Sequence, residues 1–289
     1  MTDFLSFIMN GLVLGLIFAV VALGFTLILG MMQVVNFTHG ILFAFGAYFA
    51  FTLQKYIGFG WSLILSPIIV GLLGLILERS AIRRVYGGNP LFGLLLTFGI
   101  AMALEELIRI IWGKAGYSVS APKFLAGSID IGFMFYSKYR LFLAGLSILI
   151  ILLVWLFLEK TPYGAIIKAG VSDNEMVMAL GKNLPRMRTF VFTVGAILAG
   201  VAGVIGAPIY SVRPTLGTII LMPAFVIVVL GGIGSFWGSV LGGLIVGLST
   251  SITVMFWARI SDIIPYVLMA IILLFRPRGL MGEKSILEA

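Results

Sequence analysis

Few side chains in this sequence are equipped for chemistry. His39 is the only histidine and there is no cysteine, so disulfides, thiol chemistry and cysteine-ligated metals are excluded and no metal site is expected. Asn36 stands three residues before His39, a spacing that puts both on one face if the chain is helical there. Two readings are open for the pair: a position lining or gating a solute path, or polar groups that bond carbonyls freed at a break between helices. One histidine with no nucleophile beside it argues against an enzyme. Glu105, Glu106 and Arg109 form a second group, and the four-residue spacing from Glu105 to Arg109 allows an ion pair along one helix face, for a structural or docking role. Gly279-Leu280-Met281-Gly282-Glu283-Lys284-Ser285 has the wrong spacing for a phosphate loop and no strand before it, so no ATP site and no cofactor are expected. Energy for any transport would come from a partner or an ion gradient.

The remaining motif is a helix signal. Ser172-Asp173-Asn174-Glu175 fits a capping box in which the Ser172 hydroxyl accepts from the Glu175 N–H. Met176 to Leu180, including Ala179, then propagate the helix, and Gly181 suits the left-handed position that ends it. A helix of about two turns is marginal in water. With Met176, Val177, Met178 and Leu180 on it, this one needs cover, either a docking protein or the lipid surface.

The elements that carry these residues are membrane spans. The 289 residues are 61% hydrophobic and 10% charged, against about 45–50% and about 25% in soluble domains. Apolar segments at about 4–29, 37–54, 61–77, 91–111, 139–158, 189–207, 218–233, 238–257 and 263–275 recur from end to end. The expected fold is all-α, a polytopic transmembrane helical bundle of eight to ten spans, some broken or re-entrant, forming one domain over 1–289. Met1-Thr2-Asp3 lacks a basic n-region, so the first apolar segment is expected to be retained.

The formal charge of +8 is topological, because the bases sit at span ends with no nucleic-acid-binding module around them. Arg79, Arg83 and Arg84, then Lys160, Lys168, Lys182, Arg186 and Arg188, then Arg276, Arg278 and Lys284 share one side if nine spans are counted. That side is expected to be the cytoplasm, which puts the C-terminus inside and makes 159–188 a cytoplasmic loop. Of the 36 glycines, Gly234, Gly238 and Gly242 are four apart, as are Gly243 and Gly247, and Gly11 and Gly15. They would leave bare helix faces for close packing or, alternatively, for solute contact.

Three motifs carry a resemblance. Asn10-Gly11-Leu12-Val13-Leu14-Gly15-Leu16, Leu23-Gly24-Phe25-Thr26-Leu27-Ile28-Leu29-Gly30, Asn36-Phe37-Thr38-His39-Gly40 and Gly46-Ala47-Tyr48 resemble the N-terminal part of branched-chain amino-acid ABC transporter permeases of the LivH type. Thr38 departs from that family's usual Ala. The glycine run from Gly231 is similar to the family's penultimate signature, and Thr161-Pro162-Tyr163-Gly164 to the start of its cytoplasmic loop. The Glu175-to-Gly181 spacing resembles the loop through which ABC importer permeases dock their ATPase, which would make Ser172, Asp173, Glu175, Ala179 and Gly181 the coupling loop. The resemblance implies an inner (plasma) membrane importer subunit for branched-chain or related neutral amino acids. It further implies a second, homologous permease subunit, cytoplasmic ATPase subunits and an extracytoplasmic solute-binding protein. A gradient-driven transporter, or a passive channel for urea, an amide or another small neutral solute, is the alternative.

Overall fold

A computed structural model describes residues 2–132 and 134–282, except the side chains of Thr2, Asp3, Asn174 and Glu175. Lys284 and the end of the phosphate-loop lookalike lie outside the described residues. Among the described residues the helices are α1 (Thr2–Met32), α2 (Thr38–Ser80), α3 (Pro90–Trp112), α4 (Lys138–Lys160), α5 (Pro162–Ser172), α6 (Asn174–Ala179), α7 (Leu184–Gly206), α8 (Leu216–Gly231), α9 (Phe236–Trp257) and α10 (Ile264–Phe275). Strands β1 (Ser128–Asp130) and β2 (Phe135–Ser137) form an antiparallel hairpin with Ile129 opposite Tyr136. The all-α polytopic expectation is borne out, and each of the nine apolar segments falls on a helix. Six helices, α1, α2, α3, α4, α7 and α9, are long and apolar enough to cross a membrane, whereas α8 and α10 are shorter.

Helix α2 holds two of the nine segments. Gly58 interrupts it with φ 77 and ψ 169, values open to glycine but not to a residue with a side chain. Each half is then roughly 30 Å long at about 1.5 Å per residue, enough for one crossing.

The chain divides into two compact units whose boundaries fall inside α1, in the loop after α3, and inside α4 and α8: Met1–Leu23, Ser120–Leu153 and Pro223–Ala289 form one, Gly24–Val119 and Val154–Met222 the other. In the first unit, α9 lies directly on α1. A Cβ on Gly243 would stand 2.9 Å from the Gly15 carbonyl oxygen, and one on Gly11 would stand 3.1 Å from that of Gly247. The Ser251 hydroxyl donates to the Phe7 carbonyl at 2.6 Å across the same seam. Gly238 backs onto Gly231, and Gly242 onto Ile227 and Leu230. A side chain on Gly238, Gly242, Gly243 or Gly247 would thus meet backbone or a packed neighbour. Gly234 departs from the expectation: it lies in the turn before α9, where Ser235 accepts the Gly238 N–H at 3.1 Å as N-cap. The bare face therefore starts at Gly238, because the cap interrupts the helix that would have extended it back to Gly234.

In the second unit, α7 is the central element. Gly200 meets both Gly46 and the Pro67–Val70 segment, which a continuous helix would hold about 30 Å apart, so the two halves of α2 double back at Gly58. The second half runs antiparallel to α7, with Gly71 on Ile197, Gly74 on Ala196 and Glu78 on Thr189.

Candidate functional site

The stretch expected to be a polar loop is built from two short helices. Helix α4 ends at Lys160, and the Thr161 hydroxyl donates to the Phe157 carbonyl (2.7 Å) and accepts the Gly164 N–H (3.1 Å), while Pro162 takes the first helical position of α5. Threonine before proline is a helix-start signature, because proline gives up only an N–H that the first turn leaves unpaired. Gly164 packs on the Leu158 backbone, and an ion pair from Lys168 to Glu159 closes the corner.

Helix α5 runs through Ser172, so the next helix is capped one residue later than the sequence suggested. The Asp173 carboxylate, not the Ser172 hydroxyl, takes the N-cap position and accepts the Met176 N–H at 2.9 Å. Both are good capping residues, and the helical conformation of Ser172 decides between them. The Glu175 side chain, the other half of the expected box, lies outside the described residues. At the far end Gly181 has φ +74 and donates to the Met178 carbonyl at 2.9 Å, while the Lys182 N–H reaches Val177 at 3.3 Å. These two bonds make a Schellman motif around a left-handed glycine, as expected for Gly181.

Between the caps, α6 turns one apolar residue inward and the others outward. Val177 is 2% exposed, whereas Met176 is 58%, Met178 50% and Leu180 70% exposed, and Ala179 is exposed with them. The helix is anchored through Val177 and presents an apolar surface. Asn183 then caps α7, accepting the Arg186 N–H at 3.1 Å, with Pro185 in the first turn.

Asn36 and His39 do not share a helix face, because α2 begins only at Thr38. The Asn36 carboxamide oxygen accepts from the Thr38 N–H (3.1 Å) and hydroxyl (2.5 Å), and the His39 N–H bonds the Asn36 carbonyl at 3.2 Å. Thr97 on α3 completes the break, its hydroxyl accepting the Phe37 N–H at 3.2 Å. Both residues are buried, and the His39 ring stacks on Phe25 with centroids 5.2 Å apart. These are the bonds of a helix start between α1 and α2.

Two features escaped the sequence reading. Glu78 is fully buried at the end of α2, where it accepts from Thr189 at 2.8 Å and pairs with Arg83 at 3.2 Å. Beside it Arg188 lies 5.1 Å over the Tyr86 ring, and burial, reinforced by the Glu78 charge, pushes the Tyr86 hydroxyl above its ordinary range. Its signal was the single carboxylate among Arg79, Arg83 and Arg84. At the other end of this unit a recess of about 600 Å³ is lined by Glu106, Arg109, Lys114, Ser211 and Arg213. Arg109 pairs there with Glu105, as the spacing predicted, and also with Glu106. A two-way backbone bridge between Tyr117 and Val212 (2.8 and 2.9 Å) joins the segments that form its walls.

Comparison with known proteins gives full-length relatives. The chain is 29% identical to the high-affinity branched-chain amino acid transport system permease protein BraD of Pseudomonas aeruginosa over 98% of this chain and 97% of that one. It is 29% identical, with the same coverage of each, to the permease protein LivH of the same kind of system in Escherichia coli. A probable branched-chain amino acid transport permease, LivM of Methanocaldococcus jannaschii, is 27% identical over 78% of this chain and 70% of that one. No solved structure matches. The family described as branched-chain amino acid transport system / permease component matches residues 7–273, and the chain belongs to it.

Proposed function

We propose that this chain is the membrane permease subunit of an ATP-driven importer of branched-chain or related neutral amino acids, and that it takes up the work of a separate ATPase through α6. The observation that carries the coupling role is the geometry of α6: capped at both ends, anchored by Val177, and presenting Met176, Met178 and Leu180 outward. A short helix with that much exposed apolar surface is stable when a partner covers it. Ser172, Asp173, Glu175, Ala179 and Gly181 belong to this docking element, the first two by ending α5 and starting α6, the last by closing it. The chain acts as a single transmembrane domain in the inner membrane, with α6 and the C-terminus cytoplasmic, and holds no ATP site of its own.

The recess around Arg109 and Arg213, on the opposite side, receives a solute-binding protein. A second, homologous permease completes the conduit, in keeping with the similarity of this chain to both LivH and LivM proteins. Asn36 and His39 act on the solute path indirectly, by holding the break between α1 and α2. Glu78 does not favour a gradient-driven transporter, because it is held by Arg83 and Thr189 at a helix end rather than free at mid-depth.

Purification of the tagged full chain from its native membrane tests the assembly. Recovery of a phosphate-loop ATPase with it is the expected result. Recovery of neither an ATPase nor a solute-binding protein from membranes that import amino acids would refute the reading.

A further inference from the structure

The cytoplasmic end of the second unit carries more cationic charge than its carboxylates match. Arg79 on the end of α2 and Arg83 in the 3-10 turn that follows it (Ile82–Val85), with Arg186 on the first turn of α7, line a cleft of about 450 Å³ whose other wall is Leu75, Phe190 and Thr193. Glu78 is buried beneath it and engages Arg83. Among the described residues no carboxylate pairs with Arg79 or Arg186, and both are exposed.

Depth distinguishes this cleft from an ordinary basic surface. The apolar run of α2 ends just before Arg79, and that of α7 begins just after Arg188, so the guanidinium groups stand at the boundary between hydrocarbon and headgroups. The wall continues toward the membrane interior through Leu72 and Ile76 on the same helix, both exposed. A ligand with an anionic phosphate at one end suits the planar donors of arginine, and an acyl chain at the other suits the apolar wall.

We infer that the Arg79–Arg83–Arg186 cleft is a binding site for the headgroup of an anionic phospholipid, with the acyl chain lying along Leu72, Leu75 and Ile76. The lipid is favoured over free phosphate because half of the cleft is apolar and leads into the bilayer. Anionic lipids supply the matching charge at a juxtamembrane basic surface. Since α7 follows the α6 segment directly, the lipid would brace the base of the proposed docking element.

The test uses the purified full chain in neutral detergent, titrated with dioctanoyl phosphatidylglycerol, dioctanoyl phosphatidylcholine and inorganic phosphate, with bound lipid read by native mass spectrometry. Phosphatidylglycerol is expected to bind one per chain, at least about tenfold tighter than phosphatidylcholine. The double variant R79Q/R186Q is expected to lose about thirtyfold of that affinity, from two surface arginines, while its binding of phosphatidylcholine stays the same. Both substituted side chains are exposed, and an unchanged thermal midpoint confirms that the variant folds. Equal binding of the two lipids overturns the proposal, as does an R79Q/R186Q chain with unaltered preference. Displacement of the lipid by inorganic phosphate at comparable concentration would make the cleft a phosphate site and overturn it too. So would loss of ATPase co-purification in R79Q/R186Q with lipid binding intact, which would assign the arginines to the protein partner.

Discussion

Truncation of Leu180 separates docking from self-stability. In the chain alone this side chain is 70% exposed, so L180A removes little packing of its own, and alanine keeps the helical tendency of the segment. If a partner covers the exposed part, the variant loses three carbon groups at about 0.8 kcal/mol each, scaled by that exposure, or about 1.5–2 kcal/mol. That is a ten- to thirtyfold weaker dissociation constant for the ATPase. M176A, at a side chain 58% exposed, should behave alike. V177A is the internal control: Val177 is 2% exposed, so its truncation should lower the chain's own stability by about 1–2 kcal/mol. The assay is a titration of purified ATPase against tagged full-length permease in detergent, with thermal midpoints measured in parallel. The reasoning fails if L180A and M176A both bind the ATPase within twofold of the parent. If instead they release the loop from lipid vesicles without touching ATPase affinity, α6 lies on the membrane surface.

Four further outcomes are expected. Gly181→Ala forces a side chain into a left-handed conformation at a cost of about 1 kcal/mol and should fray α6; uptake assays should show normal insertion with ATP hydrolysis uncoupled from transport. Glu175→Lys should do the same, and normal coupled uptake in both variants would count against the docking role. Gly247→Val should destabilise the chain by about 3 kcal/mol or more, read as a lower thermal midpoint in detergent, because its side chain would run into the backbone at Gly15. Glu78→Gln should cost about 2 kcal/mol in the same assay, below the roughly 3–5 kcal/mol of a fully buried pair that loses one partner, because Arg83 is 39% exposed.

What could be read directly from the sequence was local. The nine apolar segments needed only composition and length, and Gly181 needed only its place after a helical run. The one-residue error at Ser172 has a local cause as well: two capping residues stand side by side, and the choice depends on where α5 stops, which in turn depends on recognising Thr161-Pro162 as its start. Glu78 was missed for a different reason. Its hydroxyl partner, Thr189, is 111 residues away, and its burial follows from the doubling back of α2 at Gly58, which composition does not announce. The recess around Arg109 is likewise joined from Lys114–Gly116 and Ser211–Thr215, segments brought together by the Tyr117–Val212 bridge.

The α6 face was legible because its apolar side chains stay exposed among the described residues. Met176, Met178 and Leu180 sit on a segment too short to support itself and find no cover among the described residues. On the proposed function, such a mismatch between apolar content and helix length points outward, to a second molecule. It does so without naming the solute, whose identity rests on the family. Exposed apolar residues on a doubly capped short helix are therefore the part of this permease where substitution should separate assembly from folding.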